Sequence, residues 1–218
     1  MYFPVFLKLK GRSCIVIGGG KVAERKVRSL LKAGANIKVI SPEFTGGLIK
    51  LSKSISTKSN SCRRLQLIKR PFRMEDLKDA FLVIAATSSR ELHKKIATSY
   101  EKGLLNVVDE PELCTFIVPS VVKRGPLIIA ISTSGASPAM AKAIRKEIER
   151  LYGKTFGDYL KILEGLRKKI ITLPSKKKKK IFSILTSKSV FKKLRSLKTK
   201  KEVKGLLDEL LQKERISV

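Results

Sequence analysis

In this 218-residue chain the residues best suited to do chemistry follow three apolar runs. The first run, Cys14–Ile17, breaks into Gly18-Gly19-Gly20 and then Lys21, Val22 and Ala23. Gly18, Gly20 and Ala23 match G-x-G-x-x-A. In a dinucleotide site the first glycine permits the tight turn out of the strand, and the second lets a pyrophosphate approach the backbone. The alanine packs a helix closely on the strand, with its first N–H groups aimed at the phosphates. A plain turn between a strand and a helix is the alternative. The second run, Phe81–Ala86, ends in Thr87-Ser88-Ser89, where Thr87 and Ser88 suit hydrogen bonds to a cofactor or a helix cap equally well. The third, Leu105–Val108, ends at Asp109 before Glu110-Pro111. A carboxylate there could take the proton that leaves when a C–H bond gives up a hydride, or simply cap a turn before the proline. Glu43, after Ser41-Pro42, stands about where a dinucleotide fold places the acid that bonds the adenosine ribose. An acid favours NAD over NADP by repelling a 2′-phosphate, although Glu43 could also cap the next helix.

Those residues need strands and helices in alternation to hold them. Val22, Lys26/Val27 and Leu30/Leu31 have helical spacing, and Ala33-Gly34-Ala35 ends that helix before a second strand, Ile37–Ile40. A helix over about 45–53 is followed by a polar run, 54–64, read as a surface loop or frayed helix end. Strands at Leu65–Ile68, Phe81–Ala86 and Leu105–Val108 then alternate with helices at Met74–Ala80 and Glu91–Lys102. Such alternation implies a parallel, doubly wound α/β sheet. After Pro111 the pattern changes. Phe116–Val122 and Leu127–Ile131, joined by Lys123-Arg124-Gly125-Pro126, read as an antiparallel pair. Ser137 and Pro138 are a good N-cap and first residue for a helix with Met140, Ile144, Ile148 and Leu151 on one face. From about 152 the chain reads as helices broken at Gly153, Pro174-Ser175 and Gly205.

Lys and Arg number 48 against 18 Asp and Glu, a net charge of +30. Between Arg167 and Lys204 stand 16 basic residues and one acid, Glu202, so half the excess lies in the last quarter. Such a field attracts polyanions: nucleic acid, an anionic membrane or a small polycarboxylate. The run Lys176–Lys180 reads as a solvated loop. Cys14, Cys62 and Cys114 form no metal-ligand spacing, and an odd count suits a reducing cytoplasm. No apolar run approaches a membrane span, and Met1-Tyr2-Phe3-Pro4 lacks a signal-peptide layout, so a cytoplasmic protein is expected.

Five blocks carry a resemblance. They are Gly18–Lys26, Ala85-Ala86-Thr87, Asn106–Asp109, Phe116–Ser120 and Ile131–Pro138. In this order and spacing they resemble the precorrin-2 dehydrogenases, including the dehydrogenase/ferrochelatase part of bacterial siroheme synthase, over about Phe3 to Leu151. The resemblance implies NAD-dependent oxidation of precorrin-2 to sirohydrochlorin, in some members insertion of ferrous iron, and a homodimer built after Pro111. It implies a Rossmann-type domain over 1–112, a dimerisation segment over 113–150 and a basic helical domain over 151–218. The family's cofactor contacts fall on Lys21, Val22, Pro42 and Glu43, and the acid implicated in both reactions falls on Asp109. Precorrin-2 is ringed by carboxylates, which makes Lys123, Arg124, Ser132, Thr133 and Ser137 candidate substrate partners. No resident metal is implied. Two positions depart from the family. A family Asn is His93 here, the only histidine, read as a surface helical residue rather than a metal ligand. Thr133 stands where some members carry a phosphorylatable serine.

Two other classes compete. An NAD-sensing regulatory module would leave Asp109 and the Ser132–Pro138 block without a role. A nucleic-acid binder would want aromatics among its cations, and the basic tail has only Phe182 and Phe191.

Overall fold

The computed structural model describes residues 2–56, 64–101 and 103–213. Cys62 and most of the polar run 54–64 lie outside them. The chain divides into two compact units, Met1–Val118 and Pro119–Val218.

The first unit is the doubly wound sheet that the alternation of elements predicts. Strands β1 (Ser13–Ile17), β2 (Asn36–Ser41), β3 (Leu65–Lys69), β4 (Leu82–Ala85) and β5 (Leu104–Val107) are all parallel, in the order β3-β2-β1-β4-β5. Strands covered on both faces need near-continuous apolar sequence. Cys14, Ile15, Val16 and Ile17 are all buried, as are all four residues of β4. Side chains alternate across the sheet, so Cys14 and Val16 join one core cluster with Ala23, Val27 and Leu48. Ile15 and Ile17 join the other with Val83, Ile96 and Leu105. Helices α1 (Lys21–Lys32), α2 (Gly46–Ser56) and α3 (Arg90–Ser99) make the crossovers. Strand order reverses between β1 and β4, so the crevice beyond their carboxyl ends is the place where such a sheet binds ligands. The short helix expected over Met74–Ala80 is a single 3-10 turn, Met74–Leu77, pinned by a bidentate pair between Arg70 and Asp76 (2.6 and 2.8 Å).

The second unit opens with an antiparallel hairpin, β6 (Ser120–Arg124) and β7 (Leu127–Ile131). The expected strand from Phe116 begins only at Ser120: Phe116 is instead held at a bend beside β5, its N–H donating to the Leu105 carbonyl at 3.3 Å and its carbonyl accepting from the Asn106 side chain at 3.2 Å, and it packs on the core of the first unit. Helix α4 (Pro138–Leu151) starts as expected, with the Ser137 hydroxyl accepting the Met140 N–H at 3.1 Å and Pro138 in its first turn. Its apolar face is poorly covered. Only Ala141 is buried, and Met140 is 55% exposed. Helices α5 (Lys154–Ile170), α6 (Ser175–Leu185), α7 (Lys188–Ser196) and α8 (Lys200–Lys213) then enclose Phe156, Ile170, Ile181, Leu185, Leu194 and Val203. The Lys176–Lys180 run is a correction to the loop reading: it forms the first turns of α6. Lysine is a good helix former, and Ile181 and Leu185 bury the far half of that helix strongly enough to hold the charged half in register.

Candidate functional site

The three glycines after β1 do different work. Gly18 is buried with φ 114°, a conformation closed to other residues, and a Cβ there would run into the Ala86 carbonyl. A Cβ on Gly19 would run into the Glu43 carbonyl. Both glycines are therefore required by the protein's own backbone. Gly20 is not: among the described residues, its own chain neighbours apart, no atom lies within 4 Å of the position its Cβ would take. Its exposed face opens at the N-terminus of α1, where Gly20 is the N-cap and no side chain caps the helix. Open space beside uncapped helix N–H groups fits a dinucleotide pyrophosphate. The turn is fixed from both sides, by Gly18 N–H donating to the Ile40 carbonyl (2.9 Å) and Thr45 N–H donating to the Gly19 carbonyl (3.0 Å).

Lys21 is exposed and Val22 half-buried at the start of α1. Pro42 and Glu43 are exposed beyond β2, the position expected for a ribose-binding acid. Glu43 does not cap α2. Thr45 does, its hydroxyl oxygen accepting the Leu48 N–H while its proton goes to Glu24 at 2.7 Å. Glu24, also bonded to Arg28 at 2.6 Å, is held below the usual carboxylate range, first by the Thr45 bond and then by that to Arg28.

Thr87 and Ser88 follow β4, and neither caps α3, since Ser89 takes that role by accepting the Leu92 N–H. The Thr87 hydroxyl lies 2.9 Å from His93 Nε2, and His93 Nδ1 lies 2.7 Å from Glu110 Oε1. His93 is thus not the surface residue that its sequence suggests. It is 2% exposed and Glu110 7%, both turned inward between the ends of β4 and β5. A lone histidine followed by two lysines gives no signal of this, because its carboxylate partner is 17 residues away.

Asp109 is exposed just beyond β5, with a left-handed φ of 63° that aspartate tolerates better than most residues. Behind it Cys114 staples the turn, its sulfur accepting the Val107 N–H (3.1 Å) with the Val107 carbonyl at 3.2 Å. Burial pushes the Cys114 thiol pKa up, which keeps the sulfur protonated to serve these backbone bonds. Lys26 is a candidate site residue that sequence reading missed. It reaches from α1 to the Asn106 side chain, 3.3 Å away, and the Asp109 charge acts on it. Burial, then repulsion by Arg25, lowers its pKa, while Cys114 and Asp109 oppose the shift. The available signal was position: Lys26 follows Val22 by four residues on the inward stripe of α1.

The candidate substrate residues lie in the second unit. Lys123 is exposed on β6, whereas Arg124 is engaged, its Nε donating to the Tyr152 carbonyl at 3.1 Å. Thr133 Oγ1 accepts the Ser137 N–H and donates to the Ser137 carbonyl, closing the loop before α4. Ser132 accepts the Ser134 N–H, and its neighbour Ser134 has φ 52°. Ser137 is committed to capping. A cavity of about 540 Å³ in this unit is lined by Arg167, Ile171, Ser175, Lys178, Lys179 and Phe182, and contains none of the predicted site residues.

The chain is similar to known proteins along both units. A family described as "Putative NAD(P)-binding" matches residues 5–120, and one described as sirohaem biosynthesis protein central matches 124–151. The siroheme synthase of Nitrosomonas eutropha is 43% identical over 162 residues, covering 72% of this chain and 32% of its own length. That of Methylobacillus flagellatus is 42% identical over 156 residues, covering 71% and 32%. The chain therefore spans about a third of the length of these relatives. A solved structure of SirC, a precorrin-2 dehydrogenase, has a TM-score of 0.75 at 26% identity, covering 95% of this chain and all of that one. With more than half of its residues matched, an uncapped helix at an open glycine turn and a five-stranded parallel sheet, the chain belongs to the family described as "Putative NAD(P)-binding" and is similar to siroheme synthases and to SirC.

Proposed function

We propose that this protein is an oxidoreductase that converts precorrin-2 to sirohydrochlorin with NAD. Bound NAD supplies the acceptor for the two electrons and the hydrogen that leave as hydride. The chain's own residues do the rest. The Gly20 turn and the N-terminus of α1 receive the pyrophosphate, and Glu43 receives the adenosine ribose, selecting NAD by repelling a 2′-phosphate. Thr87 and Ser88 line the end of β4. Asp109 accepts the proton that must leave the substrate along with the hydride. Lys123 and the Ser132–Ser137 loop meet substrate carboxylates, in a protein whose charge of +30 favours a polyacid.

The observation that carries this reading is an exposed aspartate held at φ 63° at the same carboxyl end of the parallel sheet as the open Gly20 turn. SirC matches nearly the whole chain and supports it. Anaerobic incubation of the protein with precorrin-2 and NAD tests it. Sirohydrochlorin absorbance should grow in step with NADH. Failure with active substrate would end the reading, and equal rates with NADP would remove the role given to Glu43.

The same proposal includes ferrous iron as a second substrate, with Asp109 taking protons from the macrocycle as the metal enters. Sirohydrochlorin turnover with and without ferrous ion decides that part. It also includes a homodimer through residues 113–150. On the hairpin, Val121 pairs with Ala130 and Lys123 with Ile128, and these four share one exposed face. An uncovered apolar strip of this kind suits a second copy. Sedimentation should give twice the 24.3 kDa chain mass, and a monomer at micromolar concentration would refute the dimer.

A further inference from the structure

Two buried ionisable side chains have no part in the chemistry above. His93 and Glu110 lie inside the first unit, linked to each other at 2.7 Å and to the Thr87 hydroxyl at 2.9 Å. A carboxylate, an imidazole and a hydroxyl in series form a directed chain of hydrogen bonds. A carboxylate can only accept, so the neutral tautomer that satisfies Glu110 carries its ring proton on Nδ1. Nε2 is then left bare and can only accept, so the Thr87 hydroxyl must donate inward to it. The consequence is outside: the lone pairs of Thr87 Oγ1 turn toward the crevice, making Thr87 an acceptor there.

We propose that Glu110, acting through His93, is a positioning residue that fixes Thr87 as a hydrogen-bond acceptor for a donor group of the dinucleotide, a ribose hydroxyl or a carboxamide N–H. The proposal rests on the dinucleotide reading above. The same chain of bonds also ties the turn that bears Thr87 to the turn that bears Asp109, because Glu110 is the next residue. Burial makes the arrangement directional: with His93 and Glu110 almost wholly shielded, water cannot replace a lost partner or randomise the ring. Orienting an imidazole by a carboxylate on its far nitrogen is a general device for fixing a tautomer.

His93 is the only histidine in the chain, so its ring can be read without assignment. Long-range nitrogen–proton NMR of the full chain at pH 8 should show Nδ1 protonated and Nε2 bare. A proton on Nε2, alone or with one on Nδ1, would overturn the proposal. Dinucleotide affinity, measured by calorimetry, gives the second reading. Glu110→Leu should weaken NAD binding on the order of tenfold, the worth of one misdirected buried hydrogen bond. Glu110→Gln should restore it, since the amide oxygen can still accept from Nδ1. In a Thr87→Val background, Glu110→Leu should cost almost nothing further. Additive losses, or a Gln variant as weak as Leu, would mean that Glu110 only holds the fold. If the unaltered chain binds no dinucleotide at all, the proposed function falls, and the spectrum alone then judges the ring.

Discussion

Lys26 and Asn106, 80 residues apart, meet at 3.3 Å beside the end of β5, placing a half-buried ammonium group next to the turn that carries Asp109. Helix α1 thereby contributes twice to the site, with its N-terminus at the glycine turn and with a cation one turn further along. A cation there favours negative charge in the crevice at the cost of its own desolvation, a balance common at functional sites.

That balance has a sign. Lys26 has its pKa lowered from 10.5 in the folded protein, first by burial. Between the folded value and 10.5 the unfolded chain holds more protons at this lysine, so the Lys26 contribution to stability rises with pH through that alkaline window. Lys26→Met should abolish this rise and increase the melting temperature at pH 7, while lowering turnover. Melting curves from pH 7 to 11 check the first part. Raised Cys14 and Tyr159 pKa values pull the other way in this range, so the difference between the two proteins is what reads Lys26, and a difference that does not change with pH would exclude a perturbed Lys26.

Asp109 and Lys26 should be reciprocal. Asn is the informative replacement, because it keeps the left-handed backbone that Ala would strain. Asp109→Asn should cut turnover by about 10²–10⁴, the usual worth of a positioned base, with dinucleotide affinity nearly unchanged. It should also push the Lys26 pKa lower still, since the Asp109 charge helps hold that proton. Titration of the lysine by NMR reads the shift directly.

The three glycines should separate under substitution. Gly20→Ala has free space for its methyl, so the fold should survive with an unchanged melting temperature while NAD binding drops. Gly19→Ala drives a methyl into the Glu43 carbonyl and should cost at least about 1–3 kcal/mol of stability. Reversal of this order in paired melting and binding measurements would contradict the assignment of the open face.

A different glycine secures the hairpin. Gly157 lies in α5 against the Arg124 carbonyl, where a Cβ would come within 2.6 Å. Gly157→Ala should loosen β6 and β7 from α5, seen as faster amide exchange in residues 120–131. Unchanged protection would show that the contact is not needed.

The local chemistry of the sequence determined a good deal. Unbroken apolar runs at Cys14–Ile17 and Leu82–Ala85 can only be covered strands, and the break into Gly18-Gly19-Gly20 placed the turn. Ser137-Pro138 announced the start of α4, because capping and the fixed φ of proline act within four residues. Tertiary structure decided what depends on distant partners. It turned His93 inward toward Glu110, brought Lys26 to Asn106, and left Gly20 alone of the three open, while Gly18 and Gly19 face backbone just beyond the ends of β4 and β2. It also made the Lys176–Lys180 run helical, since Ile181 and Leu185 gain more by burial than five adjacent charges lose by repulsion. Propensity, capping and alternation are written along the chain. Burial and hydrogen bonding between residues 17 or 80 apart exist only once the sheet has brought its strand ends together.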